Sequence, residues 1–157
     1  MSNLKKVTNP AAWKDYVAYA DYTIRRFKAV QTEYDAVYFV RELSIAIFDM
    51  KARLSGYVSK QHAYKRKGDL VWEHYFSRKK SAVLIYNLLK TRKNITAKRI
   101  AAVMMSRNRV HLVSKEENQL LRKYQHSSKN YKTWRQEYAA AGIELVKYVD
   151  KRSKNEV

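Results

Sequence analysis

Cysteine is absent from this chain of 157 residues, which also contains one proline and three glycines. The absence of cysteine excludes disulfides and cysteine-ligated zinc sites, and it leaves the redox compartment open. Because glycine and proline mark tight turns, their scarcity favours helices over a turn-rich β fold. No apolar run approaches the roughly 20 residues of a membrane span, and the polar start does not resemble a signal peptide. We therefore expect a protein of the cytoplasm or nucleoid that is not secreted.

Acidic residues are also scarce, especially in the middle of the chain. The sequence has 33 Lys and Arg residues against 14 Asp and Glu, a formal net charge of +19. Between positions 51 and 109, sixteen basic residues stand against two acids, whereas the first fifty residues are nearly balanced. Such a concentration of positive charge indicates a polyanionic partner. We predict DNA as the partner, with RNA as the alternative, and no membrane.

Four short basic runs supply much of this charge. A single basic run usually lies on a solvated face of the protein. Four such runs in a region with only two acidic residues favour a phosphate-binding surface. The runs predicted to bind nucleic acid are Lys65-Arg66-Lys67, Arg78-Lys79-Lys80, Arg92-Lys93 and Lys98-Arg99.

Apolar residues at helical spacing predict two N-terminal helices, the first beginning at Asn9-Pro10. The first stripe contains Trp13, Val17, Ala20, Ile24 and Phe27, and the second contains Val40, Leu43, Ile47, Met50 and Leu54. Because the stripes do not share one phase, we expect a break or bend at the polar residues 31–33. Residues 57–69 have the composition of a basic, tyrosine-bearing loop.

Two short strands are predicted among the later helices. Residues 70–74 form a short segment that begins with an apolar run. In residues 109–113, polar side chains alternate with apolar ones, some of them β-branched. Helices are expected over 81–89, 95–105 and about 131–149, with Gly142 a weak point in the last. Ser114 and Glu117 fit a capping box that opens one more helix. These elements predict an α+β fold that is mostly α.

The chain divides by this pattern into three regions. Residues 1–56 form a helical region for scaffolding or dimerisation, 57–130 a basic core, and 131–157 a C-terminal helix and tail. We expect a homodimer through the N-terminal helices.

Glu73 and His74 stand out in the basic region. Asp69 follows Gly68 and is explained as a turn residue, so Glu73 is the one unexplained carboxylate there, and a histidine follows it. A neutral imidazole can take a proton from water. A carboxylate, together with the carboxamide of Asn118, offers the oxygen ligands that a hard cation prefers.

This order of residues resembles the HNH, or His-Me finger, nucleases. The segment LVSKEEN (112–118) is similar to the strand-to-helix segment of HNH domains in CRISPR effector nucleases, and EHYFSRK (73–79) with it is similar to small phage-encoded HNH-type proteins. The resemblance covers residues 70–118. It implies a two-stranded ββα-metal core in which Glu73 and Asn118 bind one Mg²⁺ or Mn²⁺ ion and His74 is the general base. The helical region at about 77–106 lengthens the family's usual spacing.

Simpler interpretations exist for each of these residues. His74 could be a histidine at the edge of the core, Asn118 a solvated helix residue, and Glu117 a cap partner that a one-residue slip would exchange with Asn118. His111 alternates with apolar neighbours, which predicts that it faces solvent or DNA. His62 is expected on the surface.

Three functions remain open at this point. The leading hypothesis is a metal-dependent endonuclease that hydrolyses DNA phosphodiester bonds. The second is a non-catalytic, basic nucleic-acid-binding protein, which requires only the charge. The third is a protein-binding adaptor that uses residues 10–55 as its surface.

Overall fold

The computed structural model describes residues 10–126 and 131–149, which form a mixed α+β fold that is mostly α. The chain separates into two compact units, each built from two segments. We call residues 10–52 and 76–108 the helical unit, and the described part of residues 53–75 and 109–149 the sheet unit. None of the helices in the described ranges has the length and hydropathy of a membrane span.

Four helices build the helical unit: α1 (Pro10–Phe27), α2 (Glu33–Asp49), α3 (Arg78–Thr91) and α4 (Ala97–Arg107). The predicted break at residues 31–33 is confirmed, because Thr32 caps α2 and Asp35 completes a capping box. Ser77 and Thr96 cap α3 and α4 through hydroxyl contacts to the Lys80 and Arg99 amides.

The helical unit has a continuous apolar core to which all four helices contribute. Its fully buried side chains include Tyr16, Leu43, Ile85, Ile100 and Met104. Both predicted N-terminal stripes face this core, except that the second ends before Leu54. Helices α3 and α4 therefore pack with the N-terminal helices, although they lie within the predicted basic core of residues 57–130.

Four strands build the sheet of the other unit: β1 (Arg53–Ser59), β2 (Val71–His74), β3 (Arg109–Val113) and β4 (Leu145–Lys147). Their order is β2-β3-β1-β4; β3 is parallel to β1 and antiparallel to β2. Both predicted strands are confirmed as β2 and β3. The sheet nevertheless has four strands and not two, since β1 and β4 extend it. Two short 3-10 turns, Lys60–His62 and Lys67–Asp69, follow β1.

Two helices complete the sheet unit: α5 (Lys115–His126) and α6 (Trp134–Ala140). The single helix predicted over 131–149 is wrong, because α6 ends before Gly142. Gly142 has a φ of 70°, and the Gly142 and Ile143 amides donate to the Ala139 and Tyr138 carbonyls. This is a Schellman motif, which stops a helix with a left-handed residue. The predicted tail beyond residue 149 lies outside the described residues.

The order β2, β3, α5 gives an antiparallel strand pair followed directly by a helix. Val71 pairs with Val113 and His74 with Val110, so the two strands are in register over all of β2. Residues 75–108 connect β2 to β3, and most of them belong to the helical unit.

Candidate functional site

Glu73 is a buried carboxylate on the edge strand β2 and accepts two side-chain hydrogen bonds within the sheet unit. Its side chain is 4% exposed. The Gln125 amide of α5 donates to Oε1 at 2.6 Å, and the Tyr138 hydroxyl of α6 donates to Oε2 at 2.5 Å. Burial raises the pKa of the Glu73 carboxyl, against the opposing effects of these two hydrogen bonds and the charge of Arg122. Burial and the neighbouring Glu73 charge also raise the pKa of Tyr138.

His74 and Asn118 occupy different positions from this carboxylate. Successive strand residues point to opposite faces, so Glu73 shares a face with its partner His111, and His74 lies on the other face. Asn118 closes the first turn of α5. It precedes Gln125, the partner of Glu73, by seven residues, or about 10 Å along the helix axis. The structure thus places Glu73 and Asn118 on the α5 side of the sheet without a shared contact.

Glu117 is the cap partner of α5, as its spacing from Ser114 predicted. The Glu117 amide donates to Ser114 Oγ at 3.1 Å, and the Ser114 amide donates to Glu117 Oε2 at 2.8 Å. Ser59 donates to the other carboxylate oxygen at 2.5 Å. One Glu117 oxygen completes the cap of α5 and the other joins α5 to β1, so Glu117 is a structural residue and Asn118 remains the candidate ligand.

The donor chemistry of Glu73 fits a divalent cation. A carboxylate has about four lone-pair sites, so its two hydrogen bonds leave acceptor capacity, and ligating carboxylates in proteins are themselves hydrogen-bonded. The resemblance to HNH nucleases takes a second oxygen from Asn118, with water completing the shell that Mg²⁺ prefers. In the described ranges, no group of three His, Cys, Asp or Glu side chains could hold a metal ion.

The prediction that His111 faces solvent or DNA is wrong. Its side chain is 2% exposed, because β3 is a central strand with both faces covered. Ser55 Oγ lies 2.6 Å from Nδ1 and accepts a hydrogen bond from the Tyr57 amide, which leaves the hydroxyl proton for the imidazole. Burial, with the charges of Arg109 and Arg135, lowers the pKa of His111 to about 4, so the ring is neutral at physiological pH.

Aromatic rings surround His111 on the face shared with Glu73. Tyr75 stacks on the imidazole at 3.9 Å between ring centroids, Trp134 lies 4.9 Å from both rings, and Tyr138 meets His111 edge-on at 5.4 Å. We call Tyr75, His111, Trp134 and Tyr138 the aromatic cluster. Its members come from β3, from α6 and from the residue after β2, so their proximity depends on the sheet register. The only sequence signal was the spacing of Trp134 and Tyr138, which places them on one helix face.

Two arginines lie beside the aromatic cluster. The Arg135 guanidinium is 4.6 Å from the centre of the Trp134 ring, and the charge of Arg109 opposes the burial that raises the pKa of the Tyr75 hydroxyl. Neither takes part in an ion pair within the described part of the chain. Sequence reasoning missed both, since neither belongs to a basic run.

The predicted nucleic-acid-binding runs are divided between the two units. Lys65, Arg66 and Lys67 belong to the sheet unit, where the Lys67 ammonium lies 4.9 Å from the Trp72 ring. The seven others belong to the helical unit and are exposed: Arg78, Lys79, Lys80, Arg92, Lys93, Lys98 and Arg99. Arg78 also lies over the Phe48 ring at 5.3 Å.

No protein-family model, curated protein or solved structure matches the chain. The resemblance to HNH nucleases therefore stays a hypothesis carried by residues 70–118.

Proposed function

We propose that the protein is a metal-dependent endonuclease that hydrolyses DNA, with β2, β3 and α5 as its catalytic elements. The observation that carries the proposal is the order of β2, β3 and α5. An antiparallel strand pair leads directly into a capped helix, with Glu73 and His74 at the end of the first strand and Asn118 in the first helical turn. This is the arrangement that the resemblance to HNH nucleases implies.

The roles follow from the chemistry of the side chains. Glu73 and Asn118 would hold Mg²⁺ or Mn²⁺, which stabilises negative charge on the leaving oxygen when bound. His74 accepts a proton from the attacking water. Gln125 and Tyr138 orient the Glu73 carboxylate through its two hydrogen bonds. The exposed cations raise the local concentration of the polyanion.

A nicking assay on supercoiled plasmid tests this function. We expect cleavage with Mg²⁺ or Mn²⁺, none with EDTA, and a loss of roughly a hundredfold or more in His74→Ala and Asn118→Ala, the usual effect of removing a general base or its metal. Asn94→Ala is the matched control, because Asn94 is an exposed asparagine of the helical unit. Equal cleavage by all four proteins would remove His74 and Asn118 from the mechanism.

A nucleic-acid-binding protein without hydrolytic activity is the second candidate. It is favoured by the engagement of both Glu73 oxygens and by the position of His74 on the opposite face of β2. It predicts no cleavage under any metal condition, together with binding that weakens steeply with salt.

We further propose that two copies associate through α2. The outer face of this helix carries Tyr34, Val37, Tyr38 and Ile45, which are 78%, 70%, 50% and 49% exposed. Their spacing places them, with Arg41, in one stripe, which we call the α2 stripe. The helix has four acidic residues against Arg41 alone, so a polyanion does not suit this face.

A second copy of the chain fits the α2 stripe. In an antiparallel pairing about a two-fold axis, Tyr34 of one copy meets Ile45 of the other, and Tyr38 meets Arg41. Each copy then offers the same apolar and cation–π contacts to its partner. A dimer would supply the two active sites that cleavage of both DNA strands requires.

A further inference from the structure

Arg109 and Arg135 are two positive charges held near one point of the sheet unit. Arg109 stands two residues before His111 on β3 and therefore shares its face, and the Arg135 guanidinium lies over the Trp134 ring, which packs on His111. Like charges repel, and neither arginine has a carboxylate partner among the described residues. Arg109 Nε is buried and makes no hydrogen bond there. Two guanidiniums without a carboxylate partner form a site that an anion from outside the chain would neutralise.

The aromatic cluster fixes both guanidiniums in place. Arg135 stacks on Trp134, and Trp134 packs on Tyr75 and His111. Arg109 has its Nε buried and lies on the same face of β3 as His111, on which Tyr75 stacks. Because the supporting rings are packed, the donors lose little freedom when they bind an anion. A guanidinium fork matches the geometry of a phosphate.

Tyr57 adds an exposed ring at the same place. It lies on β1 with its ring edge-on to His111 at 6.2 Å between centroids, and it is 42% exposed. Ser55 fixes this part of β1, since its hydroxyl contacts both His111 and the Tyr57 amide. An exposed ring beside two phosphate donors is the combination that proteins use to bind unpaired bases.

We propose that Arg109, Arg135 and Tyr57 form a subsite for one unpaired nucleotide, with the phosphate on the two guanidiniums and the base against the Tyr57 ring. A base within a duplex cannot present its face to a side chain, so the preferred substrate is a nucleic acid with a single-stranded segment. The proposal rests on the nucleic-acid partner of the proposed function and names the form of that partner.

Fluorescence anisotropy tests the subsite without cleavage. The probes are a dye-labelled single-stranded oligonucleotide and the blunt duplex of the same sequence, titrated in EDTA at several salt concentrations. We expect the wild type to prefer the single strand. Arg135→Ala and Tyr57→Ala should each weaken single-strand binding about tenfold, the usual effect of losing one stacked base or one phosphate contact. Only Arg135→Ala should lower the salt slope, by about one.

Matched variants exclude indirect effects. Lys28→Ala removes an exposed cation of the helical unit that belongs to none of the predicted binding runs, and Tyr22→Ala removes a tyrosine of similar exposure, 47%, outside the sheet unit. Both should leave the preference for single strands unchanged. Tyr57→Phe retains the ring and should bind as the wild type does.

The outcomes separate the two proposals. If the wild type binds both probes but Arg135→Ala and Tyr57→Ala lose no more affinity than Lys28→Ala and Tyr22→Ala, the subsite is wrong and the nucleic-acid partner stands. Equal affinity of the wild type for the two probes also overturns the subsite. If the wild type binds neither probe at low salt, the proposed function itself fails.

Discussion

Asn108 is a fully buried amide at the end of α4 that connects three parts of the helical unit. Its Nδ2 lies 2.7 Å from the Tyr16 hydroxyl, 2.7 Å from the Ile47 carbonyl and 2.9 Å from the Met50 carbonyl. Ile47 and Met50 stand at the C-terminal end of α2, where carbonyls lack partners within the helix. One side chain therefore satisfies the end of α2 and holds α1 and α4 beside it.

Replacement of Asn108 by alanine should destabilise the protein. The two carbonyls would stay buried without a donor, which costs about 1–3 kcal/mol for each unsatisfied group. We expect a loss of about 3 kcal/mol in the free energy of unfolding by urea, against a few tenths for Asn94→Ala at an exposed position. Similar midpoints for the two variants would show that the Asn108 contacts contribute little.

The buried His111 should make stability depend on pH. Its folded pKa of about 4 lies below the ordinary 6.5, so the unfolded chain binds a proton between these values and the folded protein does not. The stabilisation is complete above pH 6.5 and is lost as pH falls toward 4. The predicted loss is about 3 kcal/mol, from about 1.4 kcal/mol for each pKa unit.

His111→Phe isolates this effect, because phenylalanine packs in the cluster but does not titrate. Urea unfolding of both proteins is measured at pH 7, 6, 5 and 4. As the pH falls, the free energy of unfolding should decrease less in the variant than in the wild type. Parallel stability curves would contradict a buried neutral imidazole at position 111.

At individual positions, the sequence predicted contacts between near neighbours and missed those between distant ones. The Ser114–Glu117 capping box follows from a spacing of three residues and is confirmed. The predicted exposure of His111 was wrong, because alternation along a strand shows which residues share a face of the sheet but not whether other elements cover that face. The partners of Glu73, Gln125 and Tyr138, lie 52 and 65 residues away and depend on the packing of α5 and α6.

Among the elements, α2 carries apolar residues on two opposite faces. Phe39, Leu43 and Ile47 face the core, while the α2 stripe is exposed. If the α2 stripe joins two copies, Tyr38→Lys should weaken the dimer at least tenfold, since buried interface tyrosines are frequent hot spots. Sedimentation velocity over a concentration series measures this.

Tyr64→Lys is the matched control for the dimer, because it makes the same charge change at an exposed tyrosine of the sheet unit. It should dissociate as the wild type does. A monomeric wild type at all concentrations, or equal dissociation of the two variants, would exclude the α2 stripe as the interface.

Elements with strong local signals were predicted correctly, and the strands β1 and β4, which lack such signals, were not. Helices α1 to α5 have apolar periodicity, α2 to α5 also have caps, and β3 matches its predicted span of 109–113. The segment before Gly56 continued the apolar spacing of α2, yet it forms β1, because pairing with β3 and β4 determines its conformation. The chain after Gly142 likewise becomes β4 by pairing with β1.

At the scale of the whole molecule, the net charge of +19 should dominate the affinity for a polyanion. A protein that makes six to ten phosphate contacts loses about 10³–10⁵ in affinity between 50 and 200 mM salt. Replacing Lys65, Arg66 and Lys67 by alanine should lower the salt slope by about 0.9 for each contact removed.

Arg25→Ala is the control for the salt slope, since Arg25 is paired with Asp21 in the balanced N-terminal part. Its slope should equal that of the wild type. An unchanged slope in the triple variant would show that residues 65–67 are a solvated face.

The division into two discontinuous units was not predictable from composition, because no linker marks their boundaries. The predicted regions followed the order of the chain, and the structure instead groups α3 and α4 with the N-terminal helices. The physical reason is that all four helices carry apolar faces that only one shared core can bury. Removal of the N-terminal helices would expose that core, so point substitutions are the better test of the dimer.

The pairing of β2 with β3 also has a kinetic consequence. Residues 75–108 form the loop that this pairing closes, and closing a flexible loop of that length costs about 3 kcal/mol in chain entropy. Prior assembly of α3 and α4 would shorten the flexible path and lower that cost. During synthesis, β3 also leaves the ribosome after α3 and α4. We therefore expect the sheet unit to complete its folding last.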